Sequence, residues 1–167
     1  MSKTKIIAFI ALIMFAFGMS VTQAGAATMK FRIVTFHTKL EVIKVGDVEG
    51  HIIGVLDSPG LASFDTGEVA VLSQWGSFDY TKGAGIHKAY LRLTFEDGST
   101  IDYKMEGTTR PDPKGEGSLF EGTSEIYQGS GRYTGIHGKG THTGKRVVAL
   151  GAGAQVYFDF ILTYTLP

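Results

Sequence analysis

The chain contains no cysteine. Disulfides, thiol nucleophiles, thiolate metal sites and a lipid-bearing cysteine are thereby excluded. Asparagine is absent too, so N-glycosylation has no acceptor. Proline occurs four times and tryptophan once. Charge of one sign is not in excess, since 16 basic and 16 acidic residues give a formal net charge of zero. A surface that holds a phosphodiester backbone needs a basic surplus, so nucleic acid is not expected as a partner. Long helical periodicity is missing from Met29 onward, and with it most helix-based folds. The hydrolase elbow G-x-S-x-G, the zinc motif H-E-x-x-H and the calcium loop of EF-hands do not occur. Nothing in the sequence asks for a metal or a cofactor.

One long apolar run is present. Lys3 and Lys5 precede Ile6 to Phe17, and small residues follow at Thr22, Ala24, Gly25, Ala26 and Ala27. This three-part pattern predicts a secretory signal peptide over residues 1–27, cut after Ala24 or Ala27, because the run is short for a membrane span. No stable membrane span is expected once it is removed. Its loss leaves 14 basic against 16 acidic residues, a net charge of −2. Export without disulfides suggests a bacterial periplasmic or secreted protein. Residues 28–167 are the length of one domain.

Within that domain, short alternating runs end at Gly, Pro or Asp. "YLRLTFEDGSTIDYKME" is the clearest hairpin, with Leu91, Leu93 and Phe95 on one face and Asp97-Gly98 at the turn. Ile101, Tyr103 and Met105 then oppose Asp102, Lys104 and Glu106. "HIIGVLD" reads as a strand closed by a turn at Asp57, Ser58, Pro59 and Gly60, and Gly76 as a bulge in "EVAVLSQWGSFDY". "TTRPDPKGEG" is a loop, and "SLFEGTSEIY" and "AQVYFDFILTYTLP" are further strands. In the last of these Asp159 points away from Phe158 and Phe160. Strands at this spacing, with no helices between them, predict an antiparallel sandwich or barrel.

The stretch "IYQGSGRYTGIHGKGTHTGKR" carries glycines interleaved with basic residues. It is not a phosphate loop. Only three residues separate Gly140 from Gly144-Lys145, and Arg146 stands where the motif needs Ser or Thr. Nor does it hold an evident metal site. His137 and His142 are five apart, which puts them on opposite faces of a strand. A bulge, with help from His37, His51 or His87, would be needed to gather ligands; the simpler reading is separate surface histidines. Glycines here allow a sharp corner, with Tyr133 as its plug and Arg132 in solvent. Trp75 reads as a core residue, or else as a stacking platform for a ligand.

Gly129, Ser130, Gly131, Tyr133, Gly135, Ile136 and Gly138 fit the form G-[ST]-G-x-[FY]-x-G-[AI]-x-G. This resembles the segment found in allene oxide cyclase-like barrels and plant dirigent proteins. The resemblance implies a small, antiparallel, eight-stranded barrel, often oligomeric, with an apolar lumen open at one end. Such relatives guide cyclisations or radical couplings mainly by shape. No family catalytic residue aligns here, so none is carried over. A homodimer or homotrimer is expected on the resemblance and on the apolar "VVALGAGA" after Arg146.

Three functions fit this barrel. It could be a cyclase- or isomerase-like enzyme that folds a small hydrophobic substrate, a non-catalytic binder of a small hydrophobic molecule, or a structural or interaction barrel filled by its own side chains. Lumen volume separates the third from the others. If the more apolar strand faces line the lumen, its wall is Phe36, Leu72, Phe78, Leu91, Leu93, Phe95, Ile101, Met105, Phe158 and Phe160. Gln74, Tyr103 and Ser124 then point inward, either satisfying one another or orienting the polar end of a ligand. Tyr103, Gln74, Ser124, Phe95, Phe158 and Phe160 are the expected ligand-binding residues, Tyr103 foremost.

Overall fold

The computed structural model describes residues 25–167, so the expected signal peptide lies outside it up to residue 24. Ten strands follow in order: β1 (Ala27–Phe36), β2 (Lys39–Lys44), β3 (His51–Asp57), β4 (Gly60–Phe64), β5 (Val69–Thr81), β6 (Ala84–Phe95), β7 (Thr100–Pro111), β8 (Ser118–Ser130), β9 (His137–Arg146) and β10 (Gln155–Thr165). A single 3-10 turn at Gly131–Tyr133 is the only helical element among the described residues. No helix there is long and apolar enough to cross a membrane.

Alternation explains why these segments are strands. In β1 the buried residues are Met29, Phe31, Ile33 and Thr35, while Lys30 and Arg32 face out. In β6 His87, Ala89, Leu91, Leu93 and Phe95 are buried. A period of two with one apolar face makes a sheet that must close over that face. It does so as an antiparallel barrel, in the order β5-β4-β1-β10-β9-β8-β7-β6 and back to β5. β1 and β10 close the ring in unbroken register from Ala27↔Tyr164 to Phe36↔Gln155. Outside this seam, Nε and Nη2 of Arg32 donate to the two carboxylate oxygens of Asp159 at 2.7 and 2.8 Å. Asp159 therefore faces outward, as its parity implied.

β1 with β2, and β3 with β4, are two bent strands rather than four separate ones. β3 and β4 both run antiparallel to β5, one beside its end and the other beside its start. The expected turn at Asp57–Gly60 is thus a kink and not a reversal. Ser58 N–H donates to the Gln74 carbonyl across it. The matching kink in the partner strand is at His37, whose Nδ1 lies 2.8 Å from Ser58 Oγ. Thr35 Oγ1 also donates to the Ser58 and Pro59 carbonyls. Beyond these kinks the β2–β3 hairpin continues along β5 but leaves β10, so β2 is a free edge at one rim. The expected bulge at Gly76 is absent, because β5 stays in register through Gly76↔Ala89 and Gly76↔Leu56. The register shift lies instead between β7 and β8, where Tyr127 is the extra residue between Gln128 and Ile126.

Inside, the lumen is filled over most of its length. Phe31 and Phe160 stack at 4.8 Å, and Tyr103 stands edge-on to them at 5.9 and 5.4 Å. Burial of such a ring stabilises by about 1.5–3 kcal/mol. At one end Phe95 and Tyr133 meet at 4.9 Å, so Tyr133 plugs the corner as the glycine stretch suggested. Arg132 covers both rings from outside, 4.7 and 4.9 Å from their centroids, and pairs with Glu68. Two apolar residues were misplaced by the sequence reading. Phe36 is 47% exposed, since Phe31, Ile33 and Thr35 fix the opposite parity. Trp75 is 52% exposed, because its neighbour Gln74 is the inward residue. Neither belongs to the core or the lumen wall.

Candidate functional site

The opposite rim is where β5, β7 and β9 end and β6, β8 and β10 begin. There the inward positions change from apolar to polar. Tyr80 on β5, His87 on β6, Thr109 on β7, Ser124 on β8 and His142 on β9 are all buried. They form one chain of hydrogen bonds. The Tyr80 hydroxyl lies 3.0 Å from Thr109 Oγ1, which lies 3.0 Å from His87 Nδ1. His87 Nε2 meets His142 Nε2 at 3.0 Å, and His142 Nδ1 meets Ser124 Oγ at 3.0 Å.

Such a chain requires one imidazole to donate and the other to accept, so both must be neutral or share a single added proton. Burial lowers both to about 4, with a smaller contribution from His87 in the case of His142. Burial and the nearby Arg146 likewise bring His37 to about 4. Burial raises the Tyr80 phenol above its usual value. At neutral pH the rim therefore presents uncharged imidazoles and a protonated phenol. A concerted rotation of the hydroxyls and exchange of ring protons reverses the whole chain, and in one sense Tyr80 keeps a proton to donate outward.

Glycine makes this arrangement fit. A Cβ on Gly122 would come within 2.8 Å of the His142 ring, and one on Gly144 would collide with the Phe158 ring. The glycine-rich strand β9 and its neighbours thus leave room for rings at the rim. Gly144 plays this part within the glycine-rich stretch, and Gly122 plays it from the neighbouring strand.

A cavity of about 40 Å³ opens on the chain. His37, Gln74, Tyr80, His87, Arg146 and Phe158 stand in its wall, and Leu56, Phe78 and Leu150 add apolar surface to it. It is enough for one water or a small head group. Larger hollows, such as one of 460 Å³ along Lys88, Tyr90, Lys104 and Glu125, lie on the charged outer surface.

Of the expected ligand-binding residues, the structure brings Gln74 and Phe158 to this cavity. Ser124 is inward but already bonded to His142. Tyr103 and Phe160 sit in the filled middle of the barrel, and Phe95 at the plugged end. Gln74 Oε1 and the Tyr103 hydroxyl are buried without a hydrogen-bond partner, so the inward polar groups do not satisfy one another. The histidines are not all on the surface. His137 is exposed and His51 lies at the surface between Asp47 and Asp79, but His37, His87 and His142 are buried. Sequence reasoning missed His87, His142, Tyr80 and Arg146. His87 shares the parity of Leu91 and Leu93 and was within reach; His142 faces inward among glycines, which give no parity signal. No group of three or more metal-binding side chains gathers among the described residues.

No protein-family model and no curated protein matches this chain. Its fold is nonetheless shared. A conserved protein of unknown function from Rhodopseudomonas palustris aligns over 83% of this chain and 98% of its own, at 11% identity and a TM-score of 0.56. A protein of unknown function from Clostridium acetobutylicum aligns over 86% and 99%, at 14% identity and a TM-score of 0.56. Looser alignments reach two pterocarpan synthase dirigent proteins, with TM-scores of 0.46 and 0.47 at 12% and 14% identity over 87% of this chain and 92% and 99% of theirs. These likenesses carry nothing about chemistry. The closed, antiparallel, eight-stranded barrel of this chain is the architecture expected from its sequence, and the two proteins of unknown function share its fold.

Proposed function

We propose that this barrel binds a small, largely apolar molecule at its polar rim and acts on it as a cyclase- or isomerase-like enzyme. The observation that carries the reading is the hydrogen-bonded chain from Tyr80 to Ser124, buried yet opening on a cavity beside the unpartnered amide oxygen of Gln74. A buried polar chain is expensive unless every member is bonded. This one is bonded throughout and ends at the cavity in a phenol that can donate. Neutral imidazole and phenol suit proton transfer to and from a bound substrate, with confinement in the cavity supplying orientation. The test is extraction and mass spectrometry of small molecules that co-purify with the protein, followed by turnover assays of any found. A compound bound by the parent and no longer converted by Tyr80→Phe or His87→Gln supports the reading. Binding and conversion unaffected by both substitutions would refute it.

A second reading rests on the filled lumen. Phe31, Tyr103 and Phe160 pack ring against ring in the middle of the barrel, which suits a structural or interaction protein. Absence of any bound small molecule, with a protein partner held instead, favours it. Two further parts of the proposal stand on the sequence. Export to the periplasm or medium is checked by N-terminal sequencing, with Gly25 or Thr28 expected first. Assembly into a homodimer or homotrimer is checked by light scattering; Val147 and Val148 of the apolar loop after β9 are largely exposed.

A further inference from the structure

Arg146, the last residue of β9, is only 6% exposed. Its Nε donates to the Val148 carbonyl at 3.1 Å and its Nη2 to Ser118 Oγ at 2.7 Å. Its guanidinium lies over Phe120, 6.0 Å from the ring centroid. Among the described residues no carboxylate comes within ion-pairing distance of it. Arg32, Arg92 and Arg132 differ, for each holds an acidic partner, although each is far more exposed. Buried charges are ordinarily paired, since an isolated one loses several kcal/mol of hydration. Burial already draws this guanidinium below its ordinary pKa. The remaining N–H groups of a guanidinium are a planar fork, suited to two oxygens of one anion.

Arg146 also stands in the wall of the rim cavity, with His37, Tyr80 and His87 around it. Those three neighbours are neutral at physiological pH, so they neither cancel its charge nor compete for an anion. The cavity volume, about 40 Å³, admits a head group and not a whole ligand. Leu56, Phe78 and Leu150 line the same cavity and give it an apolar side.

We propose that Arg146 anchors a carboxylate, so that the molecule taken at the rim is a small organic acid. Its acid group enters the cavity against the Arg146 guanidinium, with the Tyr80 hydroxyl as a further donor. Its apolar body lies against Leu56, Phe78 and Leu150. This inference rests on the rim-binding reading and narrows it from any apolar molecule to an acid.

The experiment compares hexanoate with 1-hexanol by calorimetric titration of the mature protein at neutral pH and low salt. The parent is expected to bind hexanoate at least about tenfold more tightly than hexanol. Arg146→Gln should bring hexanoate down to the level of hexanol while leaving hexanol unchanged; Arg146→Lys should keep part of the preference. Equal affinity for both compounds in the parent overturns the inference and spares rim binding. Binding of neither overturns both. A hexanoate preference that survives in Arg146→Gln also overturns the inference. If that variant does not fold, NMR of the parent decides: hexanoate must shift the imidazole signals of His37 and His87 at about a tenth of the concentration at which hexanol does, and equal concentrations or unmoved signals sink the proposal.

Discussion

The Tyr103 hydroxyl is buried among aromatic rings, hydrogen-bonds nothing and stands apart from the rim cavity. An orphaned buried hydroxyl is a liability, typically of about 1–3 kcal/mol. Burial also pushes this phenol well above its usual pKa, so it stays protonated. Tyr103→Phe should therefore raise stability, by about 1 kcal/mol, as read from the urea midpoint. Rim binding should not change. The three buried histidines give a second expectation. Their folded-state values are lowered from 6.5 to about 4, so the unfolded chain takes up protons first as the pH falls. The stability they contribute is intact above about pH 6.5 and drains away toward about pH 4, by up to ~1.4 kcal/mol per pH unit for each histidine. Urea unfolding measured across that window shows the slope, and His87→Gln should make it shallower. An unfolding midpoint that does not move over the window would contradict the buried, neutral state.

At the scale of strands, Gly122 is where β8 yields to the His142 ring of β9. A Cβ added there would stand 2.8 Å from the imidazole and press on the Glu106 carbonyl behind it, with no space on either side. Gly122→Ala should displace His142, break its bond to His87 and destabilise the protein by more than about 1 kcal/mol, as overpacking does. Denaturant unfolding and the His142 imidazole signal report the two effects. Strands of this kind also show what the sequence could and could not disclose. Where both faces differ strongly, as in β6 and β7, parity put Leu91, Leu93, Phe95, Ile101 and Tyr103 inside. Where the outer face is apolar too, parity misled. Val34 and Phe36 dilute the outward face of β1, and Trp75 sits outward on β5. The inner face of β9 carries glycines around His142, so hydrophobicity marked no side at all. The site was hidden for a further reason. His87 and His142 are 55 residues apart, and only barrel closure makes them neighbours. The kink at Ser58–Pro59 reads as a turn locally, and becomes a bend only because β5 is long enough to pair with both β3 and β4.

For the whole molecule, the seam between β1 and β10 is the decisive joint, because it turns a twisted meander into a ring without edges along that seam. It joins the first and last strands, so closure must wait for almost the entire chain. Pairing across such a sequence distance makes folding slow relative to hairpin formation. Ala27 and Tyr164 are also register partners, which sets the two ends of the domain side by side. Circular permutation follows from this geometry. A short flexible linker could join Thr165 to Ala27, and new termini could be cut in the exposed β2–β3 connection near Asp47. Such a permutant keeps every ladder of the ring while turning its last-formed joint into an ordinary local hairpin. It should fold faster than the parent in stopped-flow refolding, with the same circular dichroism spectrum.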